Sequence, residues 1–254
     1  MPVMVRTSRP SVHQVSLRST WWTLALLILA IAGSGVFTAL GVYLGHLDAT
    51  AETIGPLGGA LAGISAAEIV VLVIGVLAVT GEYASGVVHT TFTAVPARTP
   101  VVLAKAGLVG ASVLAASAAL ILGTFGIDWI LYSGQAYDLP ITGPGVLRSL
   151  LGAAVFLGLF ATIGTAMGWL LRSTAGAVGA MLGLLFGLPI IGLMIPDTYA
   201  EAITRHLPAN AGSAMMEPLH AQGMLSAWAG FAVMLGWTAV FLAAAVLVVR
   251  RRDA

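Results

Sequence analysis

Side chains able to do chemistry are scarce in this chain, and their placement restricts what it can do. It has 254 residues, of which 8% are charged, with five histidines, one lysine and no cysteine. Without cysteine there is no disulfide framework, thiolate nucleophile or Cys-based metal site. The histidines (His13, His46, His89, His206, His220) all fall outside the long apolar runs, and no HExxH occurs. Intramembrane serine hydrolysis needs Ser and His within hydrogen-bond reach, and zincin chemistry needs paired ligands on one helix face. The sequence predicts no catalytic residue and no metal site. Lys105 stands between Ala104 and Ala106, whereas a P-loop requires Gly, four residues, then Gly-Lys-Ser/Thr to wrap phosphates. No nucleotide site of that type can form here, so the chain is expected not to be an enzyme.

Glu68 is the one strong polar group inside an apolar run. A charge at the bilayer centre costs about 2.5–3.5 kcal/mol on insertion scales. It must face a bundle interior, a subunit seam or a wet cavity, or carry a proton. Two readings stand: a substrate-path residue that attracts cations or couples protons, and a hydrogen-bonded packing residue. Asp128, near the end of its run, is expected to reach water by snorkelling.

The elements that hold these residues follow from hydropathy. The chain is 59% hydrophobic, and a soluble domain carries about a quarter charged residues. A span needs about 20 apolar residues, and six runs meet or approach that length: 21–43, 57–79, 101–132, 146–171, 175–195 and 225–249. The first exceeds a secretory h-region of about 7–15 residues, so it reads as a retained span. The third is long enough to begin outside the bilayer and to tilt. Fold class is therefore all-α, a polytopic membrane protein of six spans. Residues 1–20 form an interfacial segment, 21–249 the membrane domain and 250–254 a basic tail.

Nine of the eleven basic residues (Arg6, Arg9, Arg18, Arg98, Lys105, Arg172, Arg250, Arg251, Arg252) fall on one side of that plan, and Arg148 and Arg205 on the other. The positive-inside rule places both termini in the cytoplasm. The net charge of +1 gives no reason to expect a nucleic-acid partner.

Between the second and third runs lies TGEYASGVVHTTFTAVPARTPVVLAKA. Placed at about 100° per residue, residues 82–95 put Tyr83, Ala84, Val87, Val88, Phe92, Ala94 and Val95 on one half of a wheel. Glu82, Ser85, Gly86, His89, Thr90 and Thr93 occupy the other. This predicts one continuous amphipathic helix, too short to span and stopped by Pro96. Its polar face lacks the Lys and Arg of lipid-binding interfacial helices, so a protein-docking surface is favoured. Gly86, in the helix interior, is read as a site of close approach.

Gly164 and Gly168, and Gly179, Gly183 and Gly187, stand four apart on the fourth and fifth runs. Packing within one subunit is the expected use, a subunit interface the secondary one. Pro189 is expected to kink the fifth run. Thr198 to Glu201 reads as a capping box opening a helix that Pro208 closes, with 210–217 a second short helix. Met215, Met216 and Met224 suit either a permissive hydrophobic exit or the headgroup region.

The motifs carry a resemblance. GEYASG, TTFTAVP, then AR and LAKA, after an apolar run, resemble the cytoplasmic region of ABC-2 type transporter permeases. LRSTWWTL at 17–24 and HLPANAG at 206–212 resemble the same family's sequences before its first and last spans. Ala84 departs from the pattern, where members often carry a basic residue. The resemblance covers the whole six-span plan. It implies a permease subunit of an ATP-driven exporter, multidrug efflux among the expected uses, in the bacterial inner membrane. It implies a second permease copy as homodimer partner and two copies of a separate ABC ATPase holding ATP and Mg. The segment at about 82–95 would be the coupling helix, with Glu82, Tyr83, Ser85, Gly86, His89, Thr90, Thr93 and Arg98 meeting the ATPase. The segment at about 197–218 would be an outer re-entrant element. The alternative is a secondary transporter or channel-like protein without an ATPase.

Overall fold

The computed structural model describes residues 22–23, 25–44, 55–94, 97–132, 141–192, 194, 202–218 and 223–252. Helix is the only regular structure among them. Five helical stretches are long and apolar enough to cross a membrane: Pro56–Ser85, Arg98–Tyr132, Val146–Leu171, Thr174–Ile191 and Ala227–Arg251. The chain is a multi-pass membrane protein. A sixth apolar helix, α1 (Ala25–Gly41), is shorter and contains a π turn at Leu29–Gly33.

The second run is two helices. α2 (Pro56–Leu61) and α3 (Ile64–Ser85) are separated by a turn at Ala62 and Gly63. There the backbone meets α1 so closely that a Cβ on Gly63 would strike the Ala30 carbonyl and the Ser34 hydroxyl. After α3 comes the short helix α4 (Val87–Ala94), then α5 (Arg98–Tyr132) with 35 residues. At 1.5 Å per residue α5 is roughly 52 Å long, against a hydrocarbon core of about 30 Å. It is therefore longer than a span requires, as its run length in sequence predicts.

α6 (Val146–Leu171) is the axis of the bundle, and α3, α5, α7 and α9 pack around it. Its middle is buried without interruption from Phe160 to Gly168. Lipid is as apolar as leucine, so helices associate by close packing rather than by hydrophobic exclusion. A Cβ on Gly164 would stand 2.9 Å from the Leu72 carbonyl oxygen, and one on Gly75 would strike that of Ala161. Gly164 and Gly168 thus serve packing within the subunit, as expected.

The glycines of the fifth run do not. α7 (Thr174–Ile191) is the least buried of the five long helices, and nothing lies within 4 Å of a Cβ built on Gly179, Gly183 or Gly187. A π turn at Gly183–Gly187 precedes Pro189. It widens the helix near Leu185, whose carbonyl the proline ring would otherwise crowd.

At the far end, α8 (Pro208–Met216) is wedged between α6 and α9 (Ala227–Arg252). Proline at the first helical position lacks only a hydrogen bond the helix does not need there. Pro208 therefore opens this helix rather than simply closing the one before. Thr198 and Glu201, the expected capping box, lie outside the described residues.

Candidate functional site

Arg98, Lys105, Arg172 and Arg250 come together at one end of the bundle, near Trp169. This residue closes the last turns of α6 and is 1% exposed. Tyr83, from the last turn of α3, meets its ring edge-on at 5.7 Å between centroids and 79°. Phe92, from α4, approaches at 6.0 Å. Three cations cover these rings: Lys105 Nζ lies 5.9 Å from Trp169, Arg172 Cζ 5.2 Å from Tyr83 and Arg98 Cζ 5.5 Å from Phe92. Each such contact is worth about 0.5–1 kcal/mol when exposed and about 2 when desolvated. Val79, Val88, Val102, Ala245 and Val249 complete an apolar cluster beneath them, so α3, α4, α5, α6 and α9 all contribute.

Polar contacts tie the same elements. Lys105 pairs with Glu82 across α5 and α3. Arg98 donates to the Val249 carbonyl at 3.3 Å, and Arg250 Nε to Thr99 Oγ1 at 2.8 Å. Thr174 Oγ1 donates to Thr80 Oγ1 at 2.8 Å, joining α7 to α3. The basic tail is therefore bonded to the start of α5.

The helix expected over 82–95 is broken. α3 runs on through Ser85, Gly86 takes φ +75° as its left-handed cap, and α4 begins at Val87. Glycine reaches this conformation without the cost a Cβ imposes. Nothing lies within 4 Å of a Cβ built on Gly86. Close approach within the chain is therefore not why glycine stands there; the turn is. Glu82, Tyr83 and Ser85 belong to the end of a long helix, while Thr90 and Thr93 belong to the short one.

α4 nonetheless has two faces. Val88 is 3% exposed and Phe92 half-buried, whereas Thr90 and Thr93 are exposed. Thr90 Oγ1 donates to the Val87 carbonyl and Thr93 Oγ1 to that of Thr90, both at 2.8 Å. Ser85 Oγ does the same to Gly81 at 2.9 Å. With its hydroxyls bonded back onto backbone carbonyls, this face can be covered by a partner at little desolvation cost. Of the sequence-selected set, Glu82, Tyr83, Ser85, Gly86, Thr90, Thr93 and Arg98 are gathered at this end. The side chain of His89 lies outside the described residues.

Glu68 is not part of it. It is buried on α3, fourteen residues from Glu82, or roughly 21 Å along the axis. Asp128 corrects the sequence reading. It is 0% exposed, its carboxylate packs against the backbone at Gly59 of α2, and neither oxygen has a hydrogen-bond partner among the described residues. Tyr132, one turn on, is 2% exposed with its hydroxyl likewise unpartnered among them. Snorkelling fails because α2 covers the position. Among the described residues no group of three or more His, Asp or Glu is placed to hold a metal ion.

A scan against protein-family models finds no match, and comparison with the curated proteins and with solved structures likewise finds none.

Proposed function

We propose that this chain is the permease subunit of an ABC-2 type exporter, coupled to separate ATPase subunits. The observation that carries the reading is α4, a two-turn helix with one face packed on Trp169 and its threonine face exposed. A partner pushing on α4 would act through Phe92 on the last turns of α6, against which every other long helix packs. The motifs GEYASG, TTFTAVP and LAKA lie in and beside this arrangement. In this reading α1 is the first of six spans, both termini are cytoplasmic, and α8 is the core of an outer re-entrant element. The working unit pairs two permeases with two ATPases that bind ATP and Mg, in a bacterial inner membrane.

Purification of the full chain from its native membrane in mild detergent tests this. A P-loop ATPase should accompany it, and ATP hydrolysis should be vanadate-sensitive. Thr90→Trp should abolish both while leaving membrane insertion intact. Single cysteines test orientation on a cysteine-free background: Ser85→Cys and Ser173→Cys should react only after permeabilisation, and Ser226→Cys from outside.

One observation favours a second reading. Glu68 and Asp128 are buried carboxyl side chains in the spans, and such groups mark ion or proton pathways. Transport that persists after ATP depletion and collapses with the proton gradient would favour a secondary transporter.

A further inference from the structure

At the end of the bundle opposite the basic cluster, an apolar groove of about 460 Å³ runs between α6, α8 and α9. Its floor is closed where α6 touches α8, because a Cβ on Gly152 would stand 3.0 Å from the Met215 carbonyl carbon. Leu151, Val155 and Phe231 form its walls. Trp228 stands at its edge, 76% exposed and edge-on to Phe231 at 6.5 Å and 83°. Leu147 and Leu151 are 48% and 43% exposed. The flanks are therefore of the kind that faces hydrocarbon, and the groove opens to the bilayer.

Arg148 is the charged group in this otherwise apolar lining. It lies in the first turn of α6, at the interfacial end of the span. One of its nitrogens, Nη2, donates to the Glu217 carbonyl at 2.6 Å and to the Pro218 carbonyl at 2.8 Å. These bonds fix the guanidinium plane. Nε and Nη1 have no partner among the described residues.

We propose that this groove is a binding site for an anionic phospholipid of the adjoining leaflet, with one acyl chain along Leu151, Val155 and Phe231 and the headgroup phosphate on Arg148. With Nη2 already engaged, Nε–H and Nη1–H lie on separate edges of the guanidinium, so each offers a phosphate oxygen a single charge-assisted donor. An anionic headgroup matches its charge, whereas a zwitterionic one brings a cation of its own beside Arg148. A second copy of the chain fits less well, since an apolar partner face would bury the arginine without a counter-charge. The site does not depend on coupling to an ATPase.

The test uses the full chain in nanodiscs of equal phosphatidylcholine and phosphatidylglycerol, with retained lipid read by native mass spectrometry after gentle extraction. Phosphatidylglycerol should be enriched about fivefold, the size expected of one arginine near an anionic lipid. Arg148→Gln should bring the two lipids to parity, and Arg148→Lys should keep part of the preference. Ala227→Phe, which fills the groove, should lower retention of both lipids with the thermal midpoint unchanged. Parity in the native chain would mean annular lipid only and would overturn the proposal. Undiminished enrichment in Arg148→Gln would overturn the headgroup assignment, and undiminished retention in Ala227→Phe the groove. Disulfide formation between two copies of Trp228→Cys would show that a second copy covers this face instead.

Discussion

Phe92 of the short helix and Trp169 of the central helix are in ring contact at 6.0 Å, although 77 positions separate them in the chain. This contact joins α4 to the most buried helix of the bundle.

Removing either ring should therefore have different consequences. Trp169→Ala deletes a fully buried side chain shared by Tyr83 and Phe92, and should cost about 3 kcal/mol or more. Loss of the thermal midpoint in detergent would report it. Phe92→Ala should leave that midpoint nearly unchanged while amide exchange over 87–94 rises sharply. Equal loss in the two variants would mean that α4 and the bundle are one cooperative unit.

Two glycines should respond oppositely to the same substitutions. Gly86 is required for its φ of +75° and has open space around it. Gly86→Ala should cost about 1–2 kcal/mol, and Gly86→Asn less, since asparagine tolerates the left-handed region. Gly75 lies in an ordinary helix against the Ala161 carbonyl. There alanine forces the helices apart at about 1–3 kcal/mol, and asparagine should be worse. Unfolding midpoints of the four variants decide the matter; rescue by Asn at Gly75 would contradict it.

Much of this was legible in sequence because apolar run length and helix length are set by the same bilayer. The ends of the long helices follow the runs closely except at Ser85, where α3 continues past the run's end at 79. The break at Gly86 was hidden because periodicity keeps its phase across a single left-handed residue, so 82–95 still reads as one wheel. The cover over Asp128 was hidden for a related reason. The run 57–79 gives no sign that the chain turns at Ala62 and Gly63 to lay α2 against α5. The ring cluster around Trp169 joins residues from distant helices, and no local pattern encodes such a meeting. Arg98 and Lys105 were visible as topology markers, but their use over Phe92 and Trp169 required the packed bundle.

Asp128 and Glu68 should separate under isosteric change. Asp128 packs on the Gly59 backbone without a hydrogen bond among the described residues. Asp128→Asn keeps its shape and removes a charge that burial opposes, so the thermal midpoint should hold or rise. Glu68→Gln should leave the midpoint unchanged and alter transport of a cationic substrate if the residue lies on the path. A fall in midpoint for Asp128→Asn would show that its charge is used.

If the exposed face of α4 meets an ATPase, as proposed, site-specific photocrosslinking in native membranes will capture the contact. A photoreactive residue placed at Thr90 or Thr93 should give an adduct with a protein that carries a P-loop. One placed at Trp228, at the other end of the bundle, should give none. Adducts that form only with lipid at Thr90 and Thr93, in a chain that inserts normally, would mean that this face meets the membrane and not an ATPase.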